Sequence, residues 1–304
     1  MIYKQIQRGF TLLELIFVIV VLGIVSSIGA SLIADVYERY ILQQALHSAT
    51  TKSDLAAKQI TARLMSRVNY TTIGRKDDGT YKTIDTLDPG DQYRILEWIG
   101  YDNDSFSATA VPGWSGFCDV DSPSTTYTSL MTPGSQLSMT STIIGNLGGA
   151  VTDAAVIFNS LEYSTSQNYS VNTMGYDGNP ATTISPVGSF TGDTILNVTD
   201  NNPKALRDQY KLVWSAYAIV PVVHTDNPDT TVDESQVFDL NLHYNYQPWL
   251  GNDYTTGTVR TLVKDVTTFK FKGVANTVRF KICVQEKISE SETVNICKEK
   301  VVIR

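Results

Sequence analysis

Gly9-Phe10-Thr11-Leu12-Leu13-Glu14-Leu15-Ile16 opens an apolar run that continues to about Ala34, and Glu14 is the one charged residue inside it. A carboxylate within a membrane span costs roughly 2.5–3.5 kcal/mol even on lenient insertion scales, so Glu14 reads as functional by default. From Leu15 to Ala34 the run covers about 20 residues and about 30 Å as a helix, one bilayer core. Lys4 and Arg8 precede it, and Asp35, Glu38 and Arg39 follow. The positive-inside bias therefore places residues 1–9 in the cytoplasm and exports everything after Ala34. A signal-peptidase cut after Ala30 would need Ile28 as its outer small residue, and one after Ala34 would need Leu32. Neither is small, so the span is expected to stay on the chain. An ordinary signal anchor that tolerates one glutamate is the plainer alternative.

The pattern continues outward from the span. Between Asp35 and Val68 there is no proline and no glycine. Apolar residues recur at Leu42, Leu46, Ala49, Ala56, Ile60, Leu64 and Val68, with Gln43, Gln44, Lys52, Lys58, Gln59 and Arg63 on other faces. That spacing predicts an amphipathic helix over residues 35–69, continuous with a span over 10–34 and about 90 Å long in all. A helix apolar all round in its first half and one-sided in its second suits lipid or copies of itself first, then a globular head.

From residue 70 to 304 the chain reads as that head. Turn signals arrive at Gly74, Asp77-Asp78-Gly79, Asp88-Pro89-Gly90 and Gly100, with β-leaning stretches such as Tyr93 to Ile99 between them. Around 103–202 the sequence is rich in Ser, Thr and Gly, with brief apolar runs at Ala154 to Phe158 and Thr194 to Val198, and reads as a loop-rich β insertion, partly flexible. Strand patterns return at Leu212 to Val223, Val237 to Tyr246 and Val259 to Ile303. The fold class expected is α+β, a long N-terminal helix packed on an antiparallel β-sheet head.

The chain has 304 residues and a net charge of −7. Without residues 1–9, which include Lys4 and Arg8, 22 Lys and Arg stand against 31 Asp and Glu, a net of −9. Such acidity opposes non-specific nucleic-acid binding, which depends on neutralising phosphates. Val278, Phe280, Ile282 and Val284 alternate with polar partners, Ser289-Glu290-Ser291 makes a polar turn, and Val294 and Ile296 resume the alternation. A hairpin turning at Glu290 sets Cys283 directly opposite Cys297, on the polar face and near disulfide reach, which an exported, oxidising environment would seal. Cys118 has no histidine within a hundred residues after it and is given no role. His47, His224 and His243 form no metal pair at helical spacing, and no nucleophile-elbow or phosphate-loop glycine pattern occurs, so no enzyme is expected. Asp226, Asp229, Asp233 and Glu234 could offer hard oxygens to Ca²⁺, as could Asp102, Asn103, Asp104, Asp119 and Asp121, but solvated turns explain both clusters more simply. No cofactor is expected beyond that faint Ca²⁺ candidate. Lys270, Lys272, Arg279 and Lys281, with Lys298 and Lys300 nearby, read as the solvated face of strands balanced by Glu286 and Glu299.

Arg8 to Val68 resembles the type IV prepilin signature shared by type IV pilins and the pseudopilins of type II secretion. The resemblance implies a pilin-like fold. It also implies that prepilin peptidase cuts between Gly9 and Phe10 and methylates the new Phe10 amine. Glu14, fifth in the mature chain, would then recruit the subunit and pair with the Phe10 amine of a neighbour. Many major pilins carry a helix-kinking proline in the second half of the span. Here Ser26-Ser27-Ile28-Gly29-Ala30-Ser31 stands there, and Gly23 and Gly29 soften the helix without breaking it. The closing segment, Leu262 to Phe271 followed by Arg279-Phe280-Lys281-Ile282, is similar to the end of J-type pseudopilins and W-type minor pilins. A head of about 235 residues is bulky for a subunit repeated along a thin fibre. The implied protein is a minor pilin or pseudopilin, single-pass in the inner membrane with a periplasmic head. Its implied partners are other pilin subunits, prepilin peptidase, the inner-membrane assembly platform and the membrane itself, with no nucleic acid. An adhesin-like pilin whose head binds a surface or glycan is one rival. A membrane-anchored periplasmic protein that never polymerises is another.

Overall fold

The computed structural model describes residues 11–88, 90–106, 111–158, 174–178, 183–199, 206–223, 237–274, 277–289 and 292–303. Helix α1 runs Leu12–Met65, 54 residues without interruption and about 80 Å by helical rise. Thr11 caps it: its hydroxyl accepts from the Glu14 amide at 3.3 Å, while the Glu14 carboxylate accepts from the Thr11 amide at 3.2 Å. The helix stops at Met65, short of Val68, because β-pairing claims the next residues. Val68 N–H donates to Ile99 O at 2.8 Å, Tyr101 N–H donates to Ser66 O at 2.8 Å, and Arg67 bridges Gly100.

Among the described residues, twelve strands form an antiparallel head. They are β1 (Ile73–Arg75), β2 (Tyr81–Thr83), β3 (Ile95–Tyr101), β4 (Ser129–Met131), β5 (Ala155–Phe158), β6 (Ser185–Thr191) and β7 (Ile195–Val198), then β8 (Tyr210–Val223), β9 (Phe238–Tyr246), β10 (Thr258–Val274), β11 (Thr277–Lys287) and β12 (Thr293–Val302). The strand order is β12-β11-β10-β9-β8-β5-β6-β7-β4, with β3 also on β8 and β1 joining β2 to β3. Strand β8 is the hub, pairing with β5 over Tyr210–Val213, with β3 over Val213–Ile219 and with β9 over Ala216–Val223.

Strand β3 is buried along almost its whole length because both its faces are covered. Leu96 and Trp98 join the core beneath the helix, with Ile60, Leu64, Leu240, Phe280 and Ile282. Ile95 and Ile99 point the other way, into a second core with Val213, Tyr246 and Trp249. A strand sandwiched in this way reads as a continuous apolar run, its period-two signal hidden.

The described residues of the stretch expected to be a loop-rich β insertion form short helices as well as strands. It holds α2 (Asn103–Phe106), α3 (Leu137–Asn146) and strands β4 to β7. These elements close a third core of Trp114, Cys118, Leu130, Leu137, Ile144 and Trp214. Helix α3 buries Leu137, Thr140 and Ile144, an i, i+3, i+7 stripe that weak Ser/Thr helix formers obscure.

Candidate functional site

The helix has two unlike halves. From Thr11 to Tyr40 every residue except Gly29 is exposed, including Leu13, Ile16, Phe17, Leu22 and Ile33. One stretch of α1 is long and apolar enough to cross a membrane, and none of it is buried against the head. Glu14 sits at the start of this stretch, its carboxylate held by the Thr11 amide and by the Thr11 hydroxyl at 3.2 Å. Gly9 and Phe10, the expected cleavage and methylation positions, lie outside the described residues.

The second half packs on the head by a seam of small residues: Ala45, Ala49, Ser53, Ala56 and Ala57, then Ile60 and Leu64. Of the expected apolar positions, Ala49, Ala56, Ile60, Leu64 and Val68 are buried, whereas Leu42 and Leu46 are 38 % and 36 % exposed, and Leu55 is 54 % exposed. Small side chains from Ala45 to Ala57 let the helix backbone approach the sheet closely, and Ile60 and Leu64 continue the contact. Polar contacts fix the same register. The Ser48 hydroxyl donates to Glu286 Oε1 at 2.8 Å, Lys52 forms an ion pair with Glu286, and Lys52 Nζ lies 3.8 Å from Asp265 Oδ2. Asp265 reaches there from a bulge in β10, where its φ is 60°.

The C-terminal hairpin has the register its sequence implied. Cys283 opposes Cys297 across β11 and β12, and the two are joined by a disulfide. One detail differs from expectation. Cys283 is on the polar face yet only 3 % exposed. It lies between Thr268 of β10 and its disulfide partner Cys297 of β12. The basic residues divide between two faces. Lys270 opposes Lys281 and Lys272 opposes Arg279 on the exposed face, where Glu299 pairs with Arg279. Lys298 and Lys300 lie on the helix side with Glu286, and the charge of both helps hold the Asp54 carboxyl below its ordinary range, after the larger effect of its bond to Lys58.

Among the described residues no three His, Cys, Asp or Glu side chains gather where a metal ion could be held. Asp102 instead accepts from the Ser105 amide at 3.2 Å and from the Ser105 hydroxyl, capping α2. Asp226, Asp229, Asp233 and Glu234 lie outside the described residues. Cys118 is buried, and that burial, with Asp119 beside it, pushes its thiol up to about 11, far from thiolate reactivity.

A buried ion pair had no marker in the sequence. Arg75 Nε donates to Glu97 Oε2 at 2.7 Å, Tyr246 Oη donates to Glu97 Oε1 at 3.0 Å, and Arg75 Nη2 donates to Tyr176 O at 3.0 Å. Both charges are almost wholly buried, and they tie β1, β3 and β9 to the 174–178 segment. The partners are 22 residues apart, and only the pairing of β1 with β3 brings them together.

A long helix whose first half is unburied, followed by an antiparallel head, is a pilin-like α+β fold. Residues 4–30 match the sequence model of the prokaryotic N-terminal methylation motif, the type IV prepilin-like signal. No curated protein and no solved structure matches the chain. The motif supports a type IV pilin-like, structural protein that is processed by prepilin peptidase and meets other pilin subunits. Together with the apolar helix it fits membrane anchoring.

Proposed function

We propose that this protein is a minor pilin or pseudopilin, assembled into a type IV pilus or a type II secretion pseudopilus by packing its N-terminal helix among those of other subunits. One observation carries the reading. The first half of α1 carries an apolar surface all round with Glu14 at its start, and the chain's own head covers none of it. Lipid can solvate the apolar residues, but it cannot solvate the carboxylate. Cleavage between Gly9 and Phe10 would free an amine next to Thr11, and that amine, methylated, would pair with Glu14 of a neighbouring subunit. Each charge is costly alone in a low-dielectric bundle and tolerable only with the other, so the pairing selects one stagger between helices. In the unassembled chain the Thr11 capping box occupies Glu14, which keeps the carboxylate partnered until then. In the second half Leu42, Leu46 and Leu55 also remain exposed. The subunit would cross the inner membrane once with its head in the periplasm, and its bulk suits a place at the tip.

Glu14→Ala tests this. The variant is expected to be processed and inserted normally but to be missing from sheared filaments and from cross-linked complexes with other subunits. Equal incorporation would overturn the assembly role. A bulky replacement of Gly9 should leave the mature mass raised by the leader, and an unchanged mass would overturn the processing step.

A further inference from the structure

Beyond the helix, the head carries a groove with the make-up of a ligand site. It lies where the end of α1 meets β3, β8 and β9, has a volume of about 360 Å³, and is lined by Arg63, Asn245, Tyr101, Trp214, Tyr217 and Tyr244. That volume is at the small end of ligand pockets. Ala62 and Ser66 form its rim, some 28 residues past Ala34 along the helix, so it sits about 40 Å beyond the apolar span.

The backbone around the groove is shaped to hold these groups. Tyr217 stacks on Trp98 with centroids 5.8 Å apart and lies across Gly100, where an added Cβ would come within 2.6 Å of its ring. Trp214 lies across Gly149, where an added Cβ would come within 2.7 Å of the indole. Asn245 adopts φ 59°, a left-handed conformation rare outside glycine. Its amide donates to Ser215 Oγ at 2.9 Å and its Nδ2 to Leu147 O at 3.3 Å, which leaves the side-chain oxygen as the acceptor for a ligand. A non-glycine residue held in the left-handed region beside a concavity is a pointer to function.

The chemistry of the lining narrows the ligand. The rim charges, Arg63 and Asp104, are opposite in sign, and Asp102 is already satisfied by Ser105. One guanidinium against two carboxylates gives the groove nothing that would attract a phosphate or a free carboxylate. It offers the partly exposed Tyr101, Tyr217 and Tyr244 beside amide, hydroxyl and guanidinium groups. A molecule with apolar C–H faces and a rim of hydroxyl groups matches both features. The geometry points to an uncharged sugar unit of a glycan as the occupant. A second concavity, lined by Phe106, Trp114 and Phe117, shares Tyr101 with the groove, so the surface can follow more than one residue of a saccharide chain.

The test uses the full chain in micelles of a detergent without a sugar head group, since a glycosidic detergent would compete. Saturation-transfer NMR is run with glucose, galactose, N-acetylglucosamine and their β1,4-linked dimers, with glucuronate and N-acetylneuraminate as anionic probes. At least one neutral sugar is expected to bind saturably, a dimer more tightly than its monomer. Ala62→Trp, which fills the groove from an exposed helix position, and Asn245→Gly, which removes the amide while keeping the backbone conformation, should each weaken binding about tenfold or more. No saturable binding by any neutral sugar would overturn the inference. So would binding of the anionic probes alone, or neutral-sugar binding that survives Ala62→Trp unchanged. None of these outcomes depends on whether the chain polymerises.

Discussion

The two halves of α1 are one unbroken helix with opposite relations to the rest of the molecule. Leu12 to Ala34 is apolar on every side and touches none of the head, while Ala45 to Ala57 presents a narrow seam of small residues to the sheet that Ile60 and Leu64 continue. Between the two halves, hydrophobicity and burial run in opposite directions. The strongly apolar first half is exposed, and the half that is buried is led by alanine and serine. A helix stabilised only by its own head would show the reverse. The inversion teaches that the apolar surface of α1 is matched to surroundings other than its own head, which fits membrane anchoring.

The comparison can be broken most directly at Leu64 and Leu22. Leu64→Ala removes a fully buried side chain under the sheet and is expected to cost about 2–5 kcal/mol of head stability. Leu22→Ala should leave head unfolding within about 0.5 kcal/mol of the parent, as for other surface substitutions. Chemical denaturation in micelles reads both, and similar losses would show that the halves are not distinct. The next effect belongs to the end of the head that the seam packs against. Replacing both Cys283 and Cys297 by Ala opens a loop with a sequence separation of 14 and should cost about 3 kcal/mol, with the prepilin-type processing of residues 1–9 untouched. Loss of processing in that variant would mean that the head and the signal are coupled. The smallest effect sharpens the seam itself. Ala56→Leu should overpack the helix–sheet contact by about 1–3 kcal/mol. The adjacent Leu55→Ala, on the outer face, should stay within about 0.5 kcal/mol and show its defect only in filament incorporation.

How much was legible in advance depended on how local each signal was. The span, the position of Glu14 and the β11–β12 hairpin with its cysteines follow from spacing within a few tens of residues. The insertion was read as loop-rich β because Ser and Thr dominate its composition, and helix α3 within it was missed although Leu137, Thr140 and Ile144 carried a helical stripe. Leu42 and Leu46 were read on one face with Ala49, Ile60 and Leu64, yet they stay partly exposed while those three are buried. How much of that face the head covers is set by the sheet, and the helix sequence alone does not state it.

The sequence by itself determined a membrane-length helix with a carboxylate at its start, its continuation into an amphipathic half, and a terminal hairpin that registers Cys283 against Cys297. Each of these rests on a period of 3.6 or 2 and on the charges that bound it, which neighbours along the chain supply. Only the tertiary structure decided which face of α1 meets the head, that Arg75 meets Glu97 in the core, and that Tyr101, Trp214, Tyr217, Tyr244 and Asn245 line one groove. Those depend on strands far apart in sequence settling side by side, and on where glycine and small side chains let backbones and rings come close.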